Sequence, residues 1–192
     1  MGKNSSFIKR LTDITISLFV IILMSPIILI AIIAIRIETS GSALFLQDRA
    51  GLGGKPFKIF KLRTMVKNAE KVGPLLTQSN DSRVTKVGKI LRMTSLDEFP
   101  QFINILKGEM SLVGPRPEVL PIVETYNESQ RQVLNYKPGL TGISQINGRG
   151  SLSVEEKLIM DIEYYKNETF CSDLLIVLKT PYTLISNEGN VM

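Results

Sequence analysis

Residues 92–117 read RMTSLDEFPQFINILKGEMSLVGPRP and decide the fold. Pro100 lacks an N–H group and is tolerated only in the first turn of a helix, so it predicts a helix start near Asp97 or Glu98. Gly108 is predicted to end this helix. The predicted buried stripe is apolar: Leu96, Phe99, Ile103 and Leu106. Both acids are therefore predicted at a helix N-terminus, where free N–H groups favour anions or a phosphate-bound metal.

A simpler interpretation of the same residues stays open. Ser95 and Glu98 have the spacing of a capping box, and Asp97 is a good N-cap residue. In this interpretation the two acids only start the helix and carry no chemistry.

Composition limits the chemistry that the chain can perform. Its 192 residues suit one domain with a membrane element, and its net charge of +5 suggests an anionic partner. The absence of His excludes imidazole acid–base chemistry and His-containing triads. A single cysteine, Cys171, excludes an internal disulfide and a thiolate zinc cluster. Carboxylates, Lys, Arg and hydroxyls remain, and oxygen ligands indicate Mg²⁺ if a metal is used.

Residues 14–35 form a run of 22 residues without a charge, long enough for a helix to cross a bilayer core of about 30 Å. Ser25 and Pro26 interrupt the middle of this run, where proline removes a backbone hydrogen bond. Basic residues flank both ends, and such residues favour the cytoplasmic face. A re-entrant helix that breaks at Ser25 and Pro26 satisfies both signals. A spanning helix is the alternative, and a cleaved signal peptide is disfavoured by the length of the run.

Two short strands are predicted after the apolar run, at residues 44–49 and 57–65, joined by a glycine-rich turn. A short helix is predicted to begin at residues 66–71. Lys61 and Arg63 place two cations beside the membrane exit, where contact with lipid headgroups is the alternative to substrate binding.

More cations surround the acids. Lys86, Lys89 and Arg92 recur every three residues and would form one basic face of a helix, which a solvated surface explains equally well. Arg116 is fixed between two prolines, and its guanidinium suits phosphate oxygens. An exposed Arg in a rigid turn is the alternative.

The C-terminal part is predicted to be mainly helical. Residues 118–136 read as one amphipathic helix, residues 143–146 as an extended piece, and residues 147–150 as a turn that carries Arg149. Ser153 and Glu156 open another helix through a capping box, on which Asp161 is expected to face solvent. Residues 173–185 are apolar but too short to cross a bilayer.

Six motifs occur in order along nearly the whole chain: Ser25-Pro26, KLRTM at 61–65, RMTSLDEFPQ at 92–101, LKGEMSLVGPRP at 106–117, KPGLTG at 137–142 and NGR at 147–149. Together they resemble the bacterial sugar transferase family, in its small form of monotopic polyprenyl-phosphate phosphoglycosyl transferases. The resemblance implies that the chain moves a sugar 1-phosphate from a UDP-sugar to polyprenyl (undecaprenyl) phosphate and releases UMP. The resemblance is compatible with an N-acetylated amino sugar, glucose or galactose, and the N-acetylated amino sugar is the expected one.

The resemblance also implies residue roles. Asp97 would attack the β-phosphate and carry an aspartyl phospho-sugar, and Glu98 would help to hold Mg²⁺. Five cations are implied to bind the substrates: Arg92 the lipid phosphate, Arg116 and Arg149 the nucleotide diphosphate, and, less specifically, Lys61 and Arg63.

The implied architecture is mainly α with short β-hairpin elements. A re-entrant membrane helix hairpin, residues 1–40, would precede a compact catalytic domain, residues 41–192, on the cytoplasmic face of the bacterial inner (cytoplasmic) membrane. A non-enzymatic membrane-bound scaffold or anionic-lipid binder is the alternative function. Nucleic-acid binding is not expected, because the cations are not interleaved with aromatic residues.

Overall fold

The computed structural model describes residues 7–69, 72–73, 81–148 and 151–185. Its α-helices are α1 Phe7–Glu38, α2 Lys86–Met93, α3 Gln101–Lys107, α4 Leu120–Glu124, α5 Ile143–Ile146, α6 Val154–Lys166 and α7 Phe170–Ile185. Its strands are β1 Leu44–Ala50, β2 Pro56–Leu62, β3 Ser111–Val113 and β4 Gly139–Thr141. The prediction of a mainly helical fold with a short β-hairpin is confirmed.

The helix α1 is long and apolar, and it is the one helix in the described part of the chain that could cross a membrane by length and composition. Its 32 residues span about 48 Å. Only 11% of its most apolar window is buried within the protein. Core helices and signal sequences can meet the same criteria, so this finding supports membrane association without fixing its form.

Both ends of α1 contact the rest of the protein. Near its start, Arg10 donates to two carbonyls of α3, and Asp13 accepts from the Ser111 hydroxyl and the Leu112 N–H group. At its end, Glu38 accepts from the first two N–H groups of α2, at 2.7 and 3.0 Å. Large apolar side chains between these contacts are exposed: Leu18, Phe19, Ile22, Leu23, Ile27, Leu29 and Ile30. The two anchored ends therefore flank an apolar stretch that packs on the protein through one face, with Val20, Ile21 and Ile28, and exposes the other.

The secondary structure of α1 continues through Ser25 and Pro26. Because Pro26 has no N–H group, the Ile22 carbonyl lacks its usual helical hydrogen-bond donor. The Ser25 hydroxyl donates to this carbonyl instead. The expected division into two helices is not reproduced, because the chain stays helical across the proline. A bend of the axis at Pro26 and re-entry into the membrane stay predictions.

The predicted β-hairpin is present. β1 and β2 pair antiparallel from Leu44 opposite Leu62 to Ala50 opposite Pro56. The turn between them uses Gly53 and Gly54 at positive φ, the conformation that glycine adopts without steric cost. The second strand ends at Leu62 rather than at residue 65, because Thr64 and Met65 pair with another segment: the Thr64 carbonyl accepts from the Thr85 N–H group, and Met65 forms a bridge with Val84.

A second pair of strands was not predicted from the sequence. The three-residue strands β3 and β4 run parallel, and the backbones approach closely where they meet. A Cβ atom on Gly139 would lie 2.0 Å from the backbone nitrogen of Gly114, so only glycine fits. The Gly139 N–H group also donates to the Pro115 carbonyl at 2.9 Å. This contact fixes the turn that carries Arg116.

Two other local predictions are wrong. Residues 118–136 form α4 and a separate 3₁₀ helix, Gln130–Asn135, because the Asn127 side chain accepts from Ser129 and Gln130 and makes a turn between them. Residues 143–146 are helical, not extended. The helix start at residues 66–71 stays a prediction: residues 67–68 form a turn, Ala69 is in 3₁₀ conformation, and residues 70–71 lie outside the described part.

The buried face of α3 differs from the predicted stripe. Phe102 and Ile105 are buried in the main core with Ile59 of β2, whereas Ile103 is 41% exposed. The helical phase is shifted because the acids occupy a 3₁₀ turn and α3 begins only at Gln101. Gly108 ends the helix in the left-handed conformation, as predicted. The buried Asn104 bonds to the backbone of β2 and so ties α3 to the hairpin.

We predict that Gly88→Ala destabilises the protein, although alanine is the better helix former by about 1 kcal/mol. A Cβ atom at Gly88 would lie 2.0 Å from the carbonyl oxygen of Thr64, so α2 would have to move. We expect a loss of about 1–3 kcal/mol in the free energy of unfolding, measured by urea denaturation. Lys89→Ala, at an exposed position of the same helix, is the matched control and should be nearly neutral. A Gly88→Ala protein more stable than the wild type would contradict this packing.

Candidate active site

The two acids lie on a 3₁₀ turn, Leu96–Glu98, between α2 and α3. Ser95 precedes them in the left-handed conformation, with φ of 55°, which is uncommon for a residue other than glycine. Its side chain makes no capping bond, and the Glu98 N–H group donates to the Ser95 carbonyl instead. The capping-box interpretation of these residues is therefore wrong.

Glu98 is held by two cations from distant parts of the chain. Its Oε1 atom accepts from Lys61 Nζ at 3.0 Å and from Arg116 Nη2 at 2.8 Å. Burial alone would raise the pKa of Glu98, but the charges of Arg116 and Lys61 outweigh it and hold that pKa well below its ordinary value. Glu98 is therefore a fixed anion that joins β2 to the turn after β3.

Asp97 has a different environment on the same turn. None of the described residues forms a hydrogen bond or ion pair with the Asp97 carboxylate. Asp97 and Glu98 line one cavity. Burial raises the pKa of Asp97 to about 6, against the opposing charge of Lys61 and with the repulsion of Glu98. Glu98 thus forms ion pairs with two cations, whereas Asp97 forms none with the described residues.

A cavity of about 360 Å³ is lined by five of the residues that were predicted to be catalytic or to bind substrate. Its lining includes both acids and the cations Lys61, Arg92 and Arg116. The Arg92 Nε atom donates to the Thr64 hydroxyl at 2.9 Å, and burial lowers the pKa of Arg92 while the Asp97 charge opposes this shift. The contact with Glu98 raises the pKa of Arg116. This end of the cavity is suited to phosphate groups.

Of the other predicted cations, Arg63, Lys86 and Lys89 do not line this cavity. Arg63 donates to the Thr39 and Ser40 carbonyls and so closes the loop after α1. Lys86 and Lys89 are exposed, so of the predicted basic face only Arg92 reaches the acids. Arg149 lies outside the described residues. Ser25 and Pro26 lie in the exposed middle of α1 and line neither of the two cavities described for this protein.

Arg49, at the end of β1, is a cavity residue that the sequence reasoning missed. It donates to the Pro117 carbonyl at 2.9 Å and lies 3.9 Å from the Glu118 carboxylate. Burial, and next the charge of Arg116, lower the pKa of Arg49 to about 10. Pro117 is 68 residues away along the chain, and no local pattern marks this contact.

The opposite wall of the cavity is lined by α5 and α6. Asp161 is only 3% exposed and accepts from the Ser144 hydroxyl at 3.1 Å, so the expectation that it faces solvent is wrong. It shares the buried face of α6 with Leu158 and Tyr165, at helical spacing. Burial raises the pKa of Asp161 to about 7, against the bonds from Ser144. The cavity therefore has a cationic end around Asp97 and Glu98, whereas this wall places Lys157 beside the acid Asp161.

The carboxylates place limits on any metal site. The described residues contain no group of three or more His, Cys, Asp or Glu side chains that could hold a metal ion. Mg²⁺ is often bound by one or two carboxylates together with substrate phosphates. Asp97 and Glu98 fit the binding of Mg²⁺ by two carboxylates together with substrate phosphates. They do not form a complete metal site by themselves.

Comparison with known proteins identifies relatives over nearly the whole length of the chain. The profile of the family described as "Bacterial sugar transferase" matches residues 4–187. The uncharacterized sugar transferase EpsL of Bacillus subtilis is 41% identical over 95% of this chain and 89% of its own length. The UDP-glucose:undecaprenyl-phosphate glucose-1-phosphate transferase of Caulobacter vibrioides is 41% identical over 94% of this chain and 71% of its own length. The UDP-N-acetylgalactosamine-undecaprenyl-phosphate N-acetylgalactosaminephosphotransferase of Aeromonas hydrophila is 38% identical over 96% of this chain but 45% of its own length.

Proposed function

Because the chain belongs to the bacterial sugar transferase family, we propose that it moves a sugar 1-phosphate from a UDP-sugar to undecaprenyl phosphate and releases UMP. The names of two relatives, from Caulobacter vibrioides and Aeromonas hydrophila, support this reaction class. They do not favour the alternative of a membrane-bound scaffold.

The observation that carries the mechanism is the contrast between the two neighbouring acids. Glu98 is fixed by Lys61 and Arg116, whereas no described residue engages the carboxylate of Asp97. A nucleophile needs a free lone pair, and Asp97 has one beside the cations that would hold a diphosphate. We therefore assign the nucleophile to Asp97 and an orienting role to Glu98.

In the first step, a carboxylate oxygen of Asp97 forms a bond to the β-phosphorus of the UDP-sugar. The bond between this phosphorus and the oxygen that bridges it to the α-phosphate breaks, and UMP leaves with that electron pair. Asp97 then carries the sugar phosphate as an acyl phosphate. Arg116 and Arg49 lie at the cationic end of the cavity and would stabilise the charge on the phosphate oxygens.

In the second step, an oxygen of undecaprenyl phosphate attacks the same phosphorus. The acyl phosphate bond breaks, which restores the Asp97 carboxylate and yields undecaprenyl diphosphate sugar. Arg92 is fixed by Thr64 near Asp97 and is proposed to position the lipid phosphate. Neither step needs a His side chain, in agreement with a sequence that has no His.

Mg²⁺ is part of the proposal, with Glu98 as its protein ligand and the substrate diphosphate as the source of its other ligands. When bound, it would neutralise charge on the phosphate oxygens. Lys61 and Arg116 already occupy Oε1 of Glu98, so both cations would have to share this carboxylate with the metal.

The sugar stays open. An N-acetylated amino sugar is the prediction from sequence, and the relatives are named for glucose in Caulobacter vibrioides and for N-acetylgalactosamine in Aeromonas hydrophila.

We also propose that α1 is re-entrant and that the catalytic part lies on the cytoplasmic face of the inner membrane. Contacts of Arg10 and Asp13 at one end of α1, and of Glu38 at the other, with the same folded body support this topology. Basic residues at both ends support it as well.

We predict that Asp97→Asn lowers UMP release from UDP-sugars by about a thousandfold or more, since the amide cannot act as the nucleophile. The assay contains UDP-sugar, Mg²⁺ and undecaprenyl phosphate. Asp48→Asn, at an exposed ion pair of the hairpin, is the control and should keep full activity. Thermal unfolding should show that both variants are folded. Near-normal turnover by a folded Asp97→Asn protein would remove Asp97 from the nucleophile role.

A labelling experiment tests the topology. In a Cys171→Ser background, Ser5→Cys and Ser42→Cys should react from the same side of sealed inner-membrane vesicles with a reagent that cannot cross the bilayer. The reason is that a re-entrant α1 leaves and returns to one face. Labelling from opposite sides would mean that α1 spans the membrane.

A further inference from the structure

A second cavity, of about 280 Å³, lies between α1 and α7. Its lining is mainly apolar and includes Ile16 and Val20 of α1, Phe102 of α3, Ile146 of α5, and Val177 and Leu184 of α7. Polar residues line it as well, among them Thr94, Thr141, Thr180 and Thr183, but the surface that faces the cavity is mostly apolar. The cavity is therefore suited to a hydrocarbon rather than to a nucleotide or a sugar, whose hydroxyl and phosphate groups would lose water without gaining partners there.

This apolar cavity adjoins the catalytic cavity. Ser95, Glu98 and Gln145 line both of them. A molecule with a charged group at one end and a hydrocarbon chain at the other could therefore place the charge near Asp97 and the chain between α1 and α7. Such a molecule needs no second polar group along its hydrocarbon chain.

The two helices that border the cavity also have exposed apolar surfaces. On α7 these side chains are Phe170, Leu174, Leu175, Leu178 and Tyr182, with exposed fractions from 43% to 77%. The middle of α1 is apolar and exposed as well. Exposed apolar surface of this extent is typical of contact with a membrane. A lipid chain could therefore pass from the bilayer into the cavity without crossing water.

We propose that the apolar cavity binds the isoprenoid units nearest to the phosphate of the polyprenyl phosphate acceptor. This inference rests on the proposed function, which supplies an acceptor with a phosphate head and a hydrocarbon chain. The cavity holds only the first part of such a chain, and the remainder stays in the bilayer. Burial of apolar surface provides the affinity, and the direction of the cavity presents the phosphate to the acid pair.

Filling the cavity tests the proposal. In Val177→Trp the indole would occupy the space for the chain, and Leu178→Trp, at a position that is 67% exposed on the same helix, is the matched control. We expect the KM for polyprenyl phosphate to rise at least about tenfold in Val177→Trp and to stay unchanged in Leu178→Trp. The KM for the UDP-sugar, and UMP release in a single turnover without acceptor, should be unchanged in both. Val20→Phe fills the cavity from α1 and should give the same result if Val177→Trp fails to fold.

An unchanged KM for polyprenyl phosphate in a folded, filled variant would overturn the proposal. Loss of UMP release without acceptor would overturn it too, because the cavity would then serve the nucleotide. Failure of the wild type to release UMP under all conditions would instead refute the proposed function.

A binding measurement separates these two failures. Polyprenyl phosphate with a diazirine near its phosphate should label residues 170–185 in the wild-type protein in nanodiscs, and Val177→Trp should lose this label. A diazirine phospholipid is the comparison. Equal labelling by both probes would mean that the cavity takes bilayer acyl chains, which would also overturn the proposal.

Discussion

The contact of Glu98 with Lys61 and Arg116 is the constraint on which the site depends. It joins three segments that are far apart in sequence: the hairpin strand β2, the 3₁₀ turn between α2 and α3, and the rigid turn after β3. A partly buried carboxylate between two cations is stable only while both partners stay in place, because removal of one leaves an uncompensated charge. Glu98 therefore fixes the direction of the turn, and the direction of the turn fixes where Asp97 points.

The contact of Glu98 with Lys61 and Arg116 also gives the two neighbouring acids different environments. Glu98 takes up the nearby positive charge, and no described residue engages Asp97. In the proposed mechanism this asymmetry is the reason that one acid orients and the other reacts. Glu98 also lines the apolar cavity between α1 and α7, and in the proposed mechanism the lipid phosphate meets the nucleotide sugar at the acid pair.

Sequence reasoning succeeded where local chemistry decides the structure. The glycine turn of the hairpin, the capping box of Ser153 and Glu156, and the end of α3 at Gly108 all follow from residues close together in the chain. It identified the acids and Arg116 through spacing and resemblance. It failed where distant contacts decide: the pairing of β3 with β4, the burial of Asp161 against Ser144, and the place of Arg49. The strand pairing and the contact of Arg49 have no signature within one helix or strand, whereas the helical spacing of Asp161 with Leu158 and Tyr165 is a local signal of its burial.

The most direct test of the central claim is the mass of the intact protein after incubation with a UDP-sugar and Mg²⁺ in the absence of acceptor. The account predicts an increase equal to one sugar phosphate, located by peptide mapping on Asp97, that disappears when undecaprenyl phosphate is added. A covalent adduct on another residue, or full turnover without any adduct in rapidly quenched samples, would contradict it.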